Sequence, residues 1–471
     1  MTHDTHPAAL VMVPVRVLLA LCVTLHVLRT KRDTNSSIGW IGFLWIMPIL
    51  GTVLYVMFGI NRVRRLARRL VRHHQWNAAS FAAEHKFRVE DALAPLALMV
   101  GKMTERPILR GNAVSMLHDG DQAYPQMLAA INSARRSVLL CSYIFRKDEA
   151  GQQFVEALVA AHRRGVVVRV LVDGIGAGYL RCPVARALGA AGVPCGRFMH
   201  SVWPWRMPFI NLRNHRKILV VDGAVGFMGG INIGAENVMK LNRKEPVSDT
   251  HFRLEGPVLR QLTEAFVRDW SFTRGEDLDG EAIYPPVAMP GGVAARIVTA
   301  GPDMDLEKIE YAMLQAIGLS RRNVRLMTPY FLPDDRFTTQ LALASMRGVE
   351  IDLIVPAKSN HVVLDWARDA SFGPLLDAGC RIWLARAPFN HSKLMCVDDE
   401  WCFVGSSNLD VRSLRLNFEI NLELYDAVQA TAIARFIGGH RHKRLTHHDL
   451  DSRSMLVKVR DSAARLMQPY L

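Results

Sequence analysis

Cysteine is scarce in this chain and poorly arranged for metal or disulfide chemistry. There are seven, at positions 22, 141, 182, 195, 380, 396 and 402, an odd number at irregular spacing with no CxxC pair. That argues against a cysteine-built zinc site and against a disulfide framework. It fits a reducing compartment in which most of the thiols are small buried residues. Acidic residues are also short in number. The 44 Asp and Glu against 58 Lys and Arg leave a formal charge of +14 over 471 residues, with a pI of about 9.7. An excess of that size calls for a polyanionic partner, nucleic acid or an anionic membrane, and composition does not choose between them. Hydrophobic residues make up 50% of the chain, enough for a large core, and the length suggests roughly three units.

Charge is missing altogether from one stretch. Residues 38–60, IGWIGFLWIMPILGTVLYVMFGI, run for 23 positions without an acidic or basic side chain. At about 1.5 Å of helix rise per residue, that length spans a hydrocarbon core roughly 30 Å thick. Trp40 and Trp45 lie towards one end of it, where indoles favour the membrane interface. Residues 8–28 form a second apolar stretch, containing Pro14, Arg16 and His26. Arg16 would snorkel or face the partner helix. No Lys or Arg precedes this stretch and no A-x-A follows it, which argues against a cleaved signal peptide. A transmembrane hairpin is therefore predicted within residues 1–61. Six arginines follow between Arg62 and Arg72, a stronger basic flank than the loop RTKRDTNSS (29–37). Positive flanks stay on the cytoplasmic side, which puts the bulk of the chain there. Val63, Leu66 and Leu70 form an apolar stripe among these arginines, a pattern for a helix lying on anionic headgroups. With the densest positive cluster beside the membrane, lipid is favoured over nucleic acid as the partner.

Beyond a linker (62–107) the chain repeats itself. SVLLCSYIF (137–145) corresponds to NVRLMTPYF (323–331), RRGVVVRVLVDG (163–174) to MRGVEIDLIVPA (346–357), and RALGAAGVPCGRF (186–198) to GPLLDAGCRIWLA (373–385). Last, RNHRKILVVDGAVGFMGGIN (213–232) corresponds to FNHSKLMCVDDEWCFVGSSN (389–408). The strand, helix, strand order predicts an α/β fold of two sheet-and-helix halves, residues 108–285 and 286–471, related by a pseudo-twofold.

The last pair of segments carries a signature twice: His215-x-Lys217-x4-Asp222 and His391-x-Lys393-x4-Asp398. On a strand, positions i and i+2 point to one face, so two histidines and two lysines can line one pocket at the seam. A single His-x-Lys is an ordinary exposed strand face; two in register within a repeat are not. At matching offsets follow Gly230 and Asn232 in one copy, Ser406 and Asn408 in the other. Small residues let backbone approach a phosphate, and Asn and Ser donate to its oxygens. Each histidine needs an acceptor on one ring nitrogen so that the other faces substrate. Glu419, in NFEI, is expected to orient His391, and Asp249, in SDTHF, to orient His215. Asp222 and Asp398 complete the catalytic signature, but they sit at strand–turn junctions where neutralising a lysine or capping a turn is the expected role. GHRHKRLTHH (439–448) reads as a solvated basic face, and its spacing matches no common metal-ligand pattern.

The paired HxKxxxxD motifs, each followed by G-[GS]-x-N, resemble the phospholipase D superfamily over roughly residues 108–435. Within it, the N-terminal hairpin, TPYF (328–331), NLDVRSLRLNFE (408–419) and the terminal QPYL resemble the bacterial cardiolipin synthases. The resemblance implies a phosphatidyltransferase of the bacterial inner membrane, multi-pass, with its catalytic region cytoplasmic and no metal or other cofactor. His215 would attack the phosphorus of phosphatidylglycerol and His391 would protonate the departing glycerol. A phosphohistidine would carry the phosphatidyl group while Lys217, Lys393, Asn232, Ser406 and Asn408 hold the non-bridging oxygens. Partners would be phosphatidylglycerol and other anionic phospholipids, with no nucleic acid. Phosphatidylethanolamine as donor, a hydrolytic phospholipase D, a membrane-bound nuclease and a non-catalytic scaffold are the alternatives.

Overall fold

The computed structural model describes residues 7–30, 34–59, 85–89, 92–201, 212–241, 245–302 and 305–468. They fall into two compact units, one of N-terminal helices and one containing nearly all the described residues from 85 onward. The helix expected over 62–72 lies outside the described residues.

In the N-terminal unit α1 (Pro7–Thr30) packs against α2 (Thr34–Ile46) and α3 (Pro48–Leu54), the last followed by a π-helical turn, Tyr55–Gly59. Val27, Leu44 and Tyr55 are buried between them. His26, a polar residue within the first apolar stretch, is satisfied by the Tyr55 hydroxyl 2.9 Å from its Nδ1. Trp40 turns its ring edge-on to Tyr55 at 5.2 Å, instead of serving only as an interfacial anchor. The second apolar stretch differs from the continuous span expected. It breaks at Met47, because Pro48 lacks an N–H, is suited to the first turn of a helix and cannot sit inside one without a kink. Among the described residues, only Met12–Thr30 in α1 is a helix long and apolar enough to cross a membrane, by length and composition.

The second unit is built on one continuous sheet. The first half supplies β1 (Leu109–His118), β2 (Ser137–Ser142), β3 (Val167–Asp173), β4 (Cys195–Phe198), β5 (Ile218–Val221), β6 (Val225–Gly229) and β7 (Thr250–Glu255). The second supplies β8 (Val293–Ala300), β9 (Asn323–Met327), β10 (Glu350–Pro356), β11 (Arg381–Ala385), β12 (Leu394–Val397), β13 (Trp401–Gly405) and β14 (Asn417–Tyr425). The order across the sheet is β11-β10-β9-β12-β13-β14-β8-β1-β7-β6-β5-β2-β3-β4, with the short strand Lys443–Arg444 beyond β11. Replacing each first-half strand by the one seven later reverses the order, which is the signature of a twofold axis between β1 and β8. There the strands run antiparallel, and the Asn112 amide donates to the carbonyls of Leu109 and Val293 at 2.7 and 2.9 Å.

Local chemistry explains the halves. The helices Glu149–Arg163 and Asp335–Met346 start at side-chain caps from Asp148 and Asp334. They leave through Gly165 (φ +85°) and Gly348 (φ +92°), in a left-handed conformation that glycine adopts without a Cβ clash. Each half then packs its own core, around Val138, Phe154 and Val170 in one and Val324, Phe337 and Leu353 in the other. Cys141, Cys182 and Cys380 are buried free thiols. Cys396 and Cys402 correct the expectation about cysteines: the β12–β13 hairpin sets them directly opposite, 4.4 Å apart at Cα, and they are joined as a disulfide.

Candidate active site

Two short strand pairs cross the seam and build the site. Arg213–Asn214 runs parallel to Asn417–Phe418, and Phe389–Asn390 runs parallel to Val247–Ser248. The next residue of each signature continues the pairing: His215 donates its backbone N–H to Phe418 O at 2.9 Å, and His391 donates to Ser248 O at 2.7 Å. Each histidine is thereby stitched to the opposite half. The residues following Phe418 and Ser248 are Glu419 and Asp249. Their carboxylates meet the histidines brought to them: His215 Nδ1 lies 3.0 Å from Glu419 Oε2, and His391 Nδ1 lies 2.8 Å from Asp249 Oδ2. The pairing expected from sequence, each carboxylate with the histidine of its own half, is thus corrected to a crossed one.

Lys217 donates to the His215 carbonyl at 2.6 Å, and Lys393 donates to the His391 carbonyl. Lys393 Nζ also lies 2.7 Å from His391 Nδ1 and 3.9 Å from Asp249 Oδ2. Two tyrosines not anticipated as site residues complete the walls. Tyr143 turns its ring towards His215 at 5.0 Å and underlies the Lys217 ammonium at 5.3 Å, and Tyr330 meets His391 edge-on at 5.9 Å.

Burial governs the protonation of this cluster. It lowers Lys217 to about 7 and Lys393 to about 8, because a buried ammonium loses its hydration. His391 is lowered to about 3 by burial and by the Lys393 charge. His215 is also lowered by burial, against the pull of Glu419. The Lys393 charge reaches His215 and the Lys217 charge reaches His391, so the two half-sites act on each other. Burial works to raise Asp249, but Lys393 and His391 outweigh it and hold the acid below its ordinary value. Glu419 is likewise held low, burial being outweighed by His215, Lys217 and Ser406. Ionised carboxylates only accept, so Glu419 sets the His215 proton on Nδ1, and Asp249 does the same for His391 while the Lys393 ammonium donates to the His391 carbonyl, which leaves each Nε2 lone pair for a ligand.

The small residues behave differently from the expectation. Ser406, expected on the phosphate, instead donates its hydroxyl to Glu419 Oε2 at 2.5 Å. Ser413 and Asn417 donate to the other oxygen at 2.6 and 3.3 Å. Gly230, the counterpart of Ser406, has no room for a side chain: a Cβ there would lie 2.2 Å from Asp249 Oδ1. Aspartate, one methylene shorter than glutamate, has to be met by bare backbone. Gly230→Ala is expected to push Asp249 off His391 and cut turnover on the order of 10²-fold with the protein still folded, checked by kinetics alongside circular dichroism. Asn232 accepts from Ile144 N at 3.2 Å, and Asn408 Oδ1, an acceptor that a phosphate oxygen cannot satisfy, is buried without a partner among the described residues, so only the amide N–H groups of these two can serve a phosphate.

Asp222 and Asp398 do not join the cluster. Each ends a strand five residues past its lysine, roughly 16 Å away at strand spacing. Asp222 (φ +53°) accepts the N–H groups of Arg135, Arg136 and Ser137 at 2.7–2.9 Å. Asp398 (φ +55°) accepts those of Arg321, Arg322 and Asn323 at 2.7–2.9 Å. The third letter of the signature therefore ties the turn before β2 in one half and β9 in the other, and neither aspartate neutralises a lysine of the site. Asp398→Ala is expected to strip three N–H groups of their acceptor and cost about 2–3 kcal/mol of stability, read as a lower thermal midpoint.

Residues 127–270 and 313–438 match the family described as cardiolipin synthase, phospholipase D-like domain. The chain belongs to that family. The two matched segments fall one in each half of the sheet. Residues 18–59 match a second family, the phospholipase D-nuclease N-terminal segment. Over 474 aligned residues the chain is 30% identical to the major cardiolipin synthase ClsA of Bacillus subtilis, covering 97% of each. It is 31% identical over 460 residues to cardiolipin synthase 1 of Bacillus cereus, covering 94% of this chain and 90% of that one. Among solved structures, the phosphatidylserine synthase of Haemophilus influenzae superposes with a TM-score of 0.62 at 16% identity, over 80% of this chain and 100% of that one, a likeness of fold. Membership of the phospholipase D-like cardiolipin synthase family places the chain among phospholipid-modifying enzymes.

Proposed function

We propose that the chain is a cardiolipin synthase: it transfers a phosphatidyl group from one phosphatidylglycerol to another and releases glycerol. The observation that carries this reading is the pair of oriented, neutral imidazoles in one lysine-lined seam, in a chain whose relatives are named as cardiolipin synthases. Nε2 of one histidine, His215 by the family resemblance, attacks phosphorus and the bond from phosphorus to the glycerol oxygen breaks. His391, which takes up a proton as the anionic diester binds, passes it to that oxygen. A hydroxyl of the second phosphatidylglycerol then returns a proton to His391 and attacks phosphorus, and the phosphorus–nitrogen bond breaks. Lys217 and Lys393, with Asn232 and Asn408, hold the non-bridging oxygens as charge develops on them, and Ser406 acts through Glu419. The arginine-rich flank after the second apolar stretch supports a cytoplasmic position for the catalytic region at the inner membrane. The halves would be those of residues 108–285 and 286–471.

Purified protein in phosphatidylglycerol vesicles with chelator should form cardiolipin and one glycerol per turnover. Phosphatidic acid as sole product would make it a phospholipase, and nucleic-acid cleavage with intact lipid would make it a nuclease. A mixed-vesicle arm releasing ethanolamine would reassign the donor. The lysines add a pH signature. Each ammonium binds the diester below its pKa and is lost above it. With ligand-free values of about 7 and 8, kcat/KM is expected to fall as pH rises through that window. The bound anion raises both lysines, so kcat should fall only at higher pH.

A further inference from the structure

The last described helix, Met455–Leu466, packs on the body by one side and presents the wrong chemistry on the other. Asp461 and Ala464 are buried against the body, with Val457 and Gln468 partly so. At about 100° per residue the opposite face carries Met455, Leu456, Val459, Ala463 and Leu466, with Met467 just beyond. Leu456 is 84% exposed and Leu466 80%. Lys458 and Arg465 flank this stripe on one side and Arg460 on the other. Asp461, the one acid within the helix, is buried and paired with Arg453 and Arg460, and Asp451 just before the helix lies 4.0 Å from Lys458, which donates to its carbonyl at 2.9 Å. A helix bound to its own protein by one face, apolar on the opposite face and bordered by Lys and Arg, is shaped for an anionic bilayer interface.

The helix also connects to the reacting groups. Ala464 packs with Ala367 and Leu332, and Gln468 donates to the carbonyls of Leu332 and Pro333 at 3.2 and 2.6 Å. Leu332 stands two residues from Tyr330, whose ring contacts both His361 and His391. The neighbouring helix, Val362–Asp369, exposes Val362 and Val363. We propose that the Met455–Leu466 helix is an interfacial docking element that seats the catalytic body on anionic phospholipid, with Leu456, Val459 and Leu466 entering the acyl boundary and Lys458, Arg460 and Arg465 on the headgroups. Its purpose rests on the phospholipid-substrate reading, but its test does not.

The test uses the full chain carrying Cys22→Ser and Val459→Cys, labelled at the introduced thiol with an environment-sensitive fluorophore. It is reconstituted in phosphatidylcholine vesicles and in vesicles of equal parts phosphatidylglycerol and phosphatidylcholine. Expected are a blue-shifted emission and quenching by lipids spin-labelled on the acyl chain, both stronger with phosphatidylglycerol. Water-like emission without quenching in both vesicles would overturn the proposal. So would chain-to-chain cross-linking of the unlabelled variant through the introduced thiol in dilute vesicles, which would assign the face to a second copy. This readout needs no turnover, so it fails or succeeds independently of cardiolipin formation. A second variant, Leu456→Glu with Val459→Glu, should raise the apparent KM for vesicle phosphatidylglycerol about 10-fold or more. It should leave kcat on monomeric short-chain phosphatidylglycerol unchanged; an unchanged vesicle KM would also overturn the proposal.

Discussion

Replacing either His215 or His391 by alanine is expected to lower cardiolipin formation by at least about 10³-fold, with lipid binding and the thermal midpoint nearly unchanged. The size follows from the roles. A missing nucleophile removes the covalent route, and a missing acid leaves an alkoxide to depart unprotonated, an effect commonly worth about 10²–10⁴-fold by itself. The two losses should not add, because both residues serve one reaction at one phosphorus. A double variant no slower than either single one, in vesicle assays, would be the signature of a shared centre. Two independent half-sites would instead leave each single variant with about half its activity.

The crossed carboxylates give the second large effect. Asp249→Asn is expected to lower kcat by roughly 10²–10⁴-fold, since an amide at that place can donate to Nδ1 and favour the wrong tautomer of the ring. The crossing makes the expectation specific. The histidine whose ring-nitrogen resonances and titration change in Asp249→Asn should be His391, 142 residues away in the chain, with His215 little affected. Glu419→Gln should do the converse to His215. The effect there includes lost structure, because Glu419 also accepts from Ser406, Ser413 and Asn417. Nitrogen-15 spectra of histidine-labelled protein separate crossed from within-half pairing directly.

Much of the architecture was legible because repetition makes itself visible. The aligned segments became β2 with β9, β3 with β10, β4 with β11, and the hairpins that follow the two signatures. Gly165 and Gly348 ended the helices where the two Arg-Gly steps stand. The crossing was not legible. It depends on two-residue parallel pairings, Arg213–Asn214 with Asn417–Phe418 and Phe389–Asn390 with Val247–Ser248, and nothing in such short strands names a partner. Tyr143 and Tyr330 were hidden by drift, being the seventh residue of one nine-residue segment and the eighth of the other. A tyrosine just past the first strand of each half was the available signal. The break at Met47 was written in Pro48, but a count of uncharged residues does not see a missing N–H. Asp222 and Asp398 complete the signature in sequence, but their carboxylates meet backbone N–H groups at the strand–turn junctions and not the lysines of the site.

An acid-quenched single turnover with phosphatidylglycerol labelled in its acyl chains, followed by peptide mass spectrometry, reads the covalent intermediate itself. At most one phosphatidyl group per chain is expected, on the ring nitrogen of His215 and absent in His215→Ala. Two groups on one chain, a group on a residue outside the two signatures, or cardiolipin formed with no histidine adduct at any quench time would contradict a single centre assembled from both halves.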